Sequence, residues 1–157
     1  MKLEKTKVER ILDQKKIVYD SYTYQQDPKL TGEMIAQQVG IDPNRMFKTL
    51  VTVSNKNTYY VFVVPVNKEL NLKKAAKITA TKSIEMIKMK DLLALTGYVH
   101  GGCSPIGMKK FFTTYIDESA KAFEKIVFSA GKVGRQVDVS LVDLQKVIKV
   151  EFGQLTD

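Results

Sequence analysis

The sequence predicts a mixed α+β, or irregular α/β, domain built on a mixed β-sheet, and three observations carry that prediction. Strand-like segments arrive both as a hairpin, at 47–54 and 58–66, and across helical segments, at 111–117, 124–130 and 137–140. A sheet fed in both ways combines antiparallel and parallel pairs. The helical segments between them are short, and the clearest are amphipathic. Finally, 157 residues with 44% hydrophobic and 27% charged content suit a single domain over 1–157 with a proper core.

The elements follow in order. Residues 3–14, LEKTKVERILDQ, place Leu3, Val8, Ile11 and Leu12 near one face and predict a helix. KIVYDSYTYQ (16–25) has the β-branched and aromatic enrichment of a strand, which Asp27-Pro28 ends. Thr31 is placed to cap a short helix, GEMIAQQV, that Gly40 closes in the left-handed conformation. IDPNRM reads as a turn. FKTLVTVS (47–54) and TYYVFVVPV (58–66) form a hairpin across NKN, where Asn55 and Asn57 tolerate positive φ. NLKKAAKIT (71–79) is a basic helix, SIEMI (83–87) is ambiguous, and MKDLLAL (89–95) is a helix stopped by Gly97. The strands FFTTYID (111–117) and EKIVFSA (124–130) flank a helical turn, ESAKAF. A last strand, VDVS (137–140), leads to the helix LVDLQKVIK, with Ser140 and Asp143 at the capping-box interval. No repeat, low-complexity stretch or linker interrupts the chain.

Composition narrows the function classes. No apolar run approaches the roughly 18 residues of a membrane span, and MKLEKTKVER is too charged for a signal peptide. One cysteine makes no internal disulfide, so the expected location is the cytoplasm. The net charge of +8 and pI of about 9.4 favour polyanionic partners such as nucleic acid. The basic residues are mostly Lys, with Arg only at 10, 45 and 135. Lysine meets phosphate as a point charge, so backbone contact is expected over base reading.

HGGCSPIG (100–107) concentrates the chemistry-bearing residues: the single His, the single Cys and three of the nine glycines. Two soft ligands do not make a zinc site, and nothing in the spacing of the carboxylates completes one. Cys103 as a nucleophile with His100 as its base is conceivable. A small buried cysteine in a turn beside a surface histidine is the stronger reading. Gly101, Gly102 and Gly107, with Ser104 and Pro105, could instead shape an amide-lined concavity for a carbonyl, carboxylate or phosphate oxygen. A plain structural turn competes with that reading. The segment matches neither GxxxxGK[ST] nor GxGxxG.

Lys48, Leu50 and Thr52 share one face of the strand at 47–54, and Phe47, Thr49 and Val51 the other. Lys48 could stabilise negative charge in a pocket or point to water from an edge strand; the residues alone favour neither. Ser129-Ala130-Gly131 ends a strand in small residues, which fits close approach by a ligand or a simple exit from the strand. Lys73, Lys74, Lys77, Lys82, Lys88, Lys90, Lys109 and Lys110 flank the central segments, either as phosphate contacts or as solvated surface.

Three stretches together, MFKTLV (46–51), GYVHGGCSPIGMKK (97–110) and SAGK (129–132), resemble the YbaK/EbsC-like aminoacyl-tRNA deacylases in order and separation. That family includes Cys-tRNA(Pro) deacylases and is related to the editing domain of bacterial prolyl-tRNA synthetases. The resemblance runs from the first helix to LVDLQKVIK. It implies a compact α/β fold around a mixed, barrel-like sheet with short helices about it, and clearance of mischarged tRNA. Residue by residue, it implies a catalytic Lys48 flanked by Phe47 and Thr49. It also implies a substrate loop of Gly101, Gly102, Ser104, Pro105 and Gly107, a second loop of Ser129 and Gly131, and an aromatic, Tyr24, near the pocket. No cofactor is implied.

The chain departs from the family after SAGK. A basic residue, Gly and Leu are usual there, whereas this chain has Val133-Gly134-Arg135-Gln136, which moves the charge two positions along. Position 103 varies within the family, against Cys103 as a nucleophile. The implied mechanism in the Cys-specific branch uses the substrate's own thiol; other branches, acting on Ala-tRNA(Pro), activate water. The expected partners are tRNA(Pro) and, as a candidate, prolyl-tRNA synthetase. A non-catalytic tRNA- or synthetase-binding module of the same fold is the alternative.

Overall fold

The computed structural model describes residues 4–157. It contains five α-helices, α1 (Lys7–Gln14), α2 (Gly32–Val39), α3 (Leu72–Ile78), α4 (Met89–Thr96) and α5 (Leu141–Val147). Its eight strands are β1 (Asp20–Thr23), β2 (Phe47–Ser54), β3 (Tyr59–Pro65), β4 (Ile84–Met86), β5 (Thr113–Asp117), β6 (Lys125–Ser129), β7 (Arg135–Ser140) and β8 (Glu151–Gly153). None of the described helices is long and apolar enough to cross a membrane.

The strands form two sheets, β1-β7-β6 and β4-β2-β3-β5-β8. The first is antiparallel throughout. The second is mixed: β2 runs antiparallel to β3 and β4, and β5 runs parallel to β3 and β8. The mixed α/β class therefore holds. The expected barrel-like continuity reduces to one parallel bridge between Met46 and Val127, where the sheets meet.

Burial explains the pattern of the central hairpin. Val61 and Val63 of β3 join the main core with Phe47, Val51, Ile116, Ile126 and Phe128. Phe62 and Val64 point the other way, into a second cluster with Ala75 and Ala76 of α3. A strand covered on both faces reads as a continuous apolar run, as YVFVV does. Ala36 of α2 packs with Met46 and Val127 over the junction of the sheets.

Several sequence boundaries are corrected. The first helix begins at Lys7, because Thr6 and Glu9 form a reciprocal capping box: Glu9 N donates to Thr6 Oγ1 at 3.1 Å and Thr6 N to Glu9 Oε1 at 2.9 Å. Leu3 lies outside the described residues. The strand expected at 16–25 shrinks to 20–23, since Lys16 N and Ile17 N are bonded to Asp13 O and Leu12 O at the end of α1. SIEMI resolves as β4. The last hairpin strand starts at Arg135 rather than Val137, and β8, three residues long, was not expected. The final helix ends at Val147; Ser140 caps it, accepting from Asp143 N at 3.0 Å, while Asp143 turns to Lys146 instead of closing a box.

Candidate active site

A cleft of about 240 Å³ lies where the start of β2, the 100–103 loop, and the β6–β7 pair meet. Five consecutive residues, Met46 to Leu50, line it, so β2 contributes side chains from both of its faces. Leu30, Gly32 and Ile35 of the α2 region close one side, and His100, Gly101, Cys103, Ser129 and Gln136 close the other. Gly32 is needed there, because a Cβ would fall 2.7 Å from Val66 Cβ.

The structure thus brings together Lys48, Phe47, Thr49, Gly101 and Ser129 from the residues singled out in the sequence. The other singled-out glycines support the cleft from behind. A Cβ on Gly102 would lie 2.9 Å from Val133 N, so the two loops are pressed backbone to backbone. Gly107 (φ 79°) and Gly131 (φ 88°) both sit against the Tyr98 ring, whose hydroxyl donates to Ile106 O. Ser104 is fully buried and its Oγ accepts from Ile106 N at 3.3 Å. Pro105 lines a separate shallow depression. Tyr24 lies beside the 133–134 turn, with its amide on Gly134 O at 3.0 Å, and does not line the cleft.

Lys48 is half-buried, and its Nζ stands 3.2 Å from Oε1 of Glu69, a side chain 92% exposed. Such a surface pair contributes about 0–1 kcal/mol, a tether that a ligand can displace. Among the residues lining the cleft, Thr49 and Gln136 each carry a buried side-chain oxygen, Oγ1 and Oε1, with no hydrogen-bond partner among the described residues. A buried polar atom without a partner costs about 1–3 kcal/mol, so both oxygens carry unused acceptor capacity beside the cleft. The Gly101 and Cys103 amides also have no protein acceptor among the described residues, whereas Gly102 N is occupied by Val99 O.

Gln136 was not among the sequence-predicted site residues. It pairs with Ser129 across the β6–β7 ladder and with Tyr22 across β1–β7, in the middle of its sheet. The signal was a polar residue ahead of VDVS, hidden when the strand was started one residue later.

The reactive pair in HGGCSPIG is not assembled. His100 is exposed, Cys103 is buried, and no hydrogen bond joins them among the described residues. Burial pushes the Cys103 thiol up from 9.0 to about 12, only partly offset by the Thr96 hydroxyl. A thiol held protonated is a poor nucleophile.

Arg135, the displaced charge, turns inward. Its Nη2 stands 2.6 Å from Glu9 Oε1, with both side chains largely buried. Arg45 makes a two-pronged pair with Asp138 at 2.7 and 3.0 Å. Two of the three arginines are therefore committed inside the protein. A wider depression of about 630 Å³ near Lys68, Lys121 and Asp157 holds none of the predicted site residues and neither orphaned cleft acceptor.

Comparison with known proteins places this geometry. Residues 27–147 match the family model described as an aminoacyl-tRNA editing domain. The chain is 44% identical, over 98% of its length and 94% of the relative's, to an Enterococcus faecalis protein named as a Cys-tRNA(Pro)/Cys-tRNA(Cys) deacylase, EbsC. It is 29% identical to a proline–tRNA ligase of Shouchella clausii over 66% of this chain, a stretch that is 18% of the ligase. Among solved structures, a protein described as a trans-editing enzyme for prolyl-tRNA synthetase superposes with a TM-score of 0.81 at 21% identity, covering 96% of this chain and 94% of that one. A hypothetical protein, APE2540, superposes with a TM-score of 0.84 at 19% identity, covering 96% and 99%. At these identities the two structures speak to the fold.

Proposed function

The chain belongs to the aminoacyl-tRNA editing domain family, and from that premise we propose that it cleaves the ester of mischarged tRNA(Pro), Cys-tRNA(Pro) foremost. The observation that carries this reading is the pair of orphaned acceptors, Thr49 Oγ1 and Gln136 Oε1, in the same cleft as Lys48. An aminoacyl ester brings a protonated α-amine, whose N–H groups suit both oxygens. It also brings a carbonyl, whose developing negative charge suits the Lys48 ammonium and the unoccupied Gly101 and Cys103 amides. The name of the Enterococcus faecalis relative supports the choice of amino acid.

The cleft holds no activated nucleophile among the described residues: Cys103 is held protonated, His100 stands apart, and no base is hydrogen-bonded to the Thr49 or Ser129 hydroxyl. The substrate's cysteinyl thiol is the nucleophile. Its sulfur bonds to the ester carbon, the oxyanion is held, and collapse breaks the carbon–oxygen bond to the ribose. The thiol proton ends on the ribose oxygen, and the amino acid leaves as a four-membered thiolactone that water opens. The protein's part is to hold the ester in the reactive geometry and stabilise charge. The reaction takes place in the cytoplasm, in trans, beside a prolyl-tRNA synthetase. The relationship of 104 residues to a proline–tRNA ligase supports that partner.

A deacylation panel tests the reading. Purified protein with Cys-, Ala-, Ser- and Pro-charged tRNA(Pro) should release cysteine fastest. Serine, of nearly the same size but without the thiol, should leave far more slowly. Equal rates for serine and cysteine would replace the substrate thiol with an activated water. Binding of tRNA without cleavage anywhere in the panel would favour a non-catalytic module.

A further inference from the structure

We propose that Phe111 is a second RNA-contacting site, a stacking platform for an unpaired base of the RNA whose aminoacyl end enters the cleft; this rests on the reading just given. Phe111 is 68% exposed, among the most exposed large hydrophobic side chains described. Its neighbour does the structural work at the entrance to β5: Phe112 packs against the main core and meets the Tyr59 ring edge-on at 5.9 Å. Phe111, in the irregular segment just before β5, faces outward instead, where a polar residue is the ordinary choice.

The surroundings of the ring are those of a nucleic-acid surface. Two shallow depressions, of about 140 and 80 Å³, adjoin it, and Phe111 lines both. Lys110 lines the first and Lys149 the second. Lys109 stands exposed next in the chain, and Glu151 is the sole carboxylate among the lining residues. An aromatic face ringed by lysines binds single strands by stacking bases and pairing phosphates. A protein partner would more commonly meet an apolar patch with few charges at its centre.

Position links the platform to the cleft. One segment carries both: Gly101 lines the cleft, and Pro105 lines the first depression. Four residues span at most roughly 14 Å, so the loop that lines the cleft also reaches the depression beside Phe111.

The test uses the full chain with uncharged tRNA(Pro) and a short unstructured RNA, read by fluorescence anisotropy at about 50 and 200 mM salt, alongside Cys-tRNA(Pro) deacylation. Phe111→Ala should weaken binding of both RNAs roughly five- to hundredfold, and Phe111→Trp should restore it. Because the side chain is exposed, neither change threatens the fold. Lys110→Ala should make the salt dependence shallower by about 0.7 in log–log slope, one lost phosphate contact. Unchanged RNA affinity in Phe111→Ala, or no RNA binding by the wild type, would overturn the platform. If deacylation persists in that event, the editing reading stands without it. Phe111-dependent RNA binding with no deacylation would leave the platform and remove the editing reading.

Discussion

At Cys103, which lines the cleft, and its neighbour Tyr98, burial sets a pH signature. The thiol is raised from 9.0 to about 12 by burial, and the Tyr98 hydroxyl from 10.0 to about 12 by burial and then by Cys103. The unfolded chain loses these protons first, so it binds fewer protons than the folded chain between pH 9 and 12. Stability is therefore fully present below about pH 9 and falls as pH rises toward 12. Melting temperature should drop across that window, and Cys103→Ser should flatten the drop while keeping most deacylase activity. A Cys103→Ser variant that is folded but inactive would return the thiol to the chemistry. Gln136 makes the opposite prediction. Gln136→Leu removes an unpartnered buried acceptor, so stability should hold or rise while KM for Cys-tRNA(Pro) increases at least several-fold. An unchanged KM would take Gln136 out of the site.

The elements show why some features were legible in the sequence and others were not. Helix α2 was read to the residue, since Thr31 and Gly40 mark its ends and both act locally: Thr31 Oγ1 accepts from Met34 N, and Gly40 takes φ 75°. The N-terminus of α1 was equally local, but the Thr6-x-x-Glu9 box was overlooked in favour of hydrophobic spacing. The partner of Glu9 could not be read at all. Arg135 reaches it from 126 residues away, tying α1 to β7. Burial works against the Glu9 carboxylate, but Ser21, the Thr6 amide and Arg135 outweigh it and hold its pKa below 4.5. The stability this contributes is present above that value and is lost as pH falls through the folded pKa. Arg135→Ala leaves a buried carboxylate unpaired and should cost about 3–5 kcal/mol of stability by denaturant unfolding. Deacylation per folded molecule should be unchanged, whereas a substrate contact at Arg135 would lower it. Gly102→Ala should behave in reverse. The added Cβ presses on the Val133 amide and pushes apart the loops that shape the cleft, so activity should fall more than melting temperature.

For the whole molecule, fold class and the grouping of site residues were legible because they rest on strand and loop patterns. The division into two sheets was not, since among the described residues a single bridge, Met46–Val127, joins them and no local signal marks it. The same junction explains the cleft: it opens beside Met46, and the residues found only in the structure, Gly32, Val66 and Gln136, come from elements that converge there. The net charge of +8 acts at this scale too. With Arg45 and Arg135 paired internally, attraction for tRNA falls to the lysines and Arg10, so KM for Cys-tRNA(Pro) should rise steeply with salt while kcat changes little. The most direct test of the account is the single-turnover rate of cysteine release from Cys-tRNA(Pro) by the wild type, Lys48→Ala and Cys103→Ser. The account predicts rapid release by the wild type, a loss of about 100- to 1000-fold in Lys48→Ala with its fold intact, and near-wild-type release by Cys103→Ser. A fully active Lys48→Ala protein would contradict it.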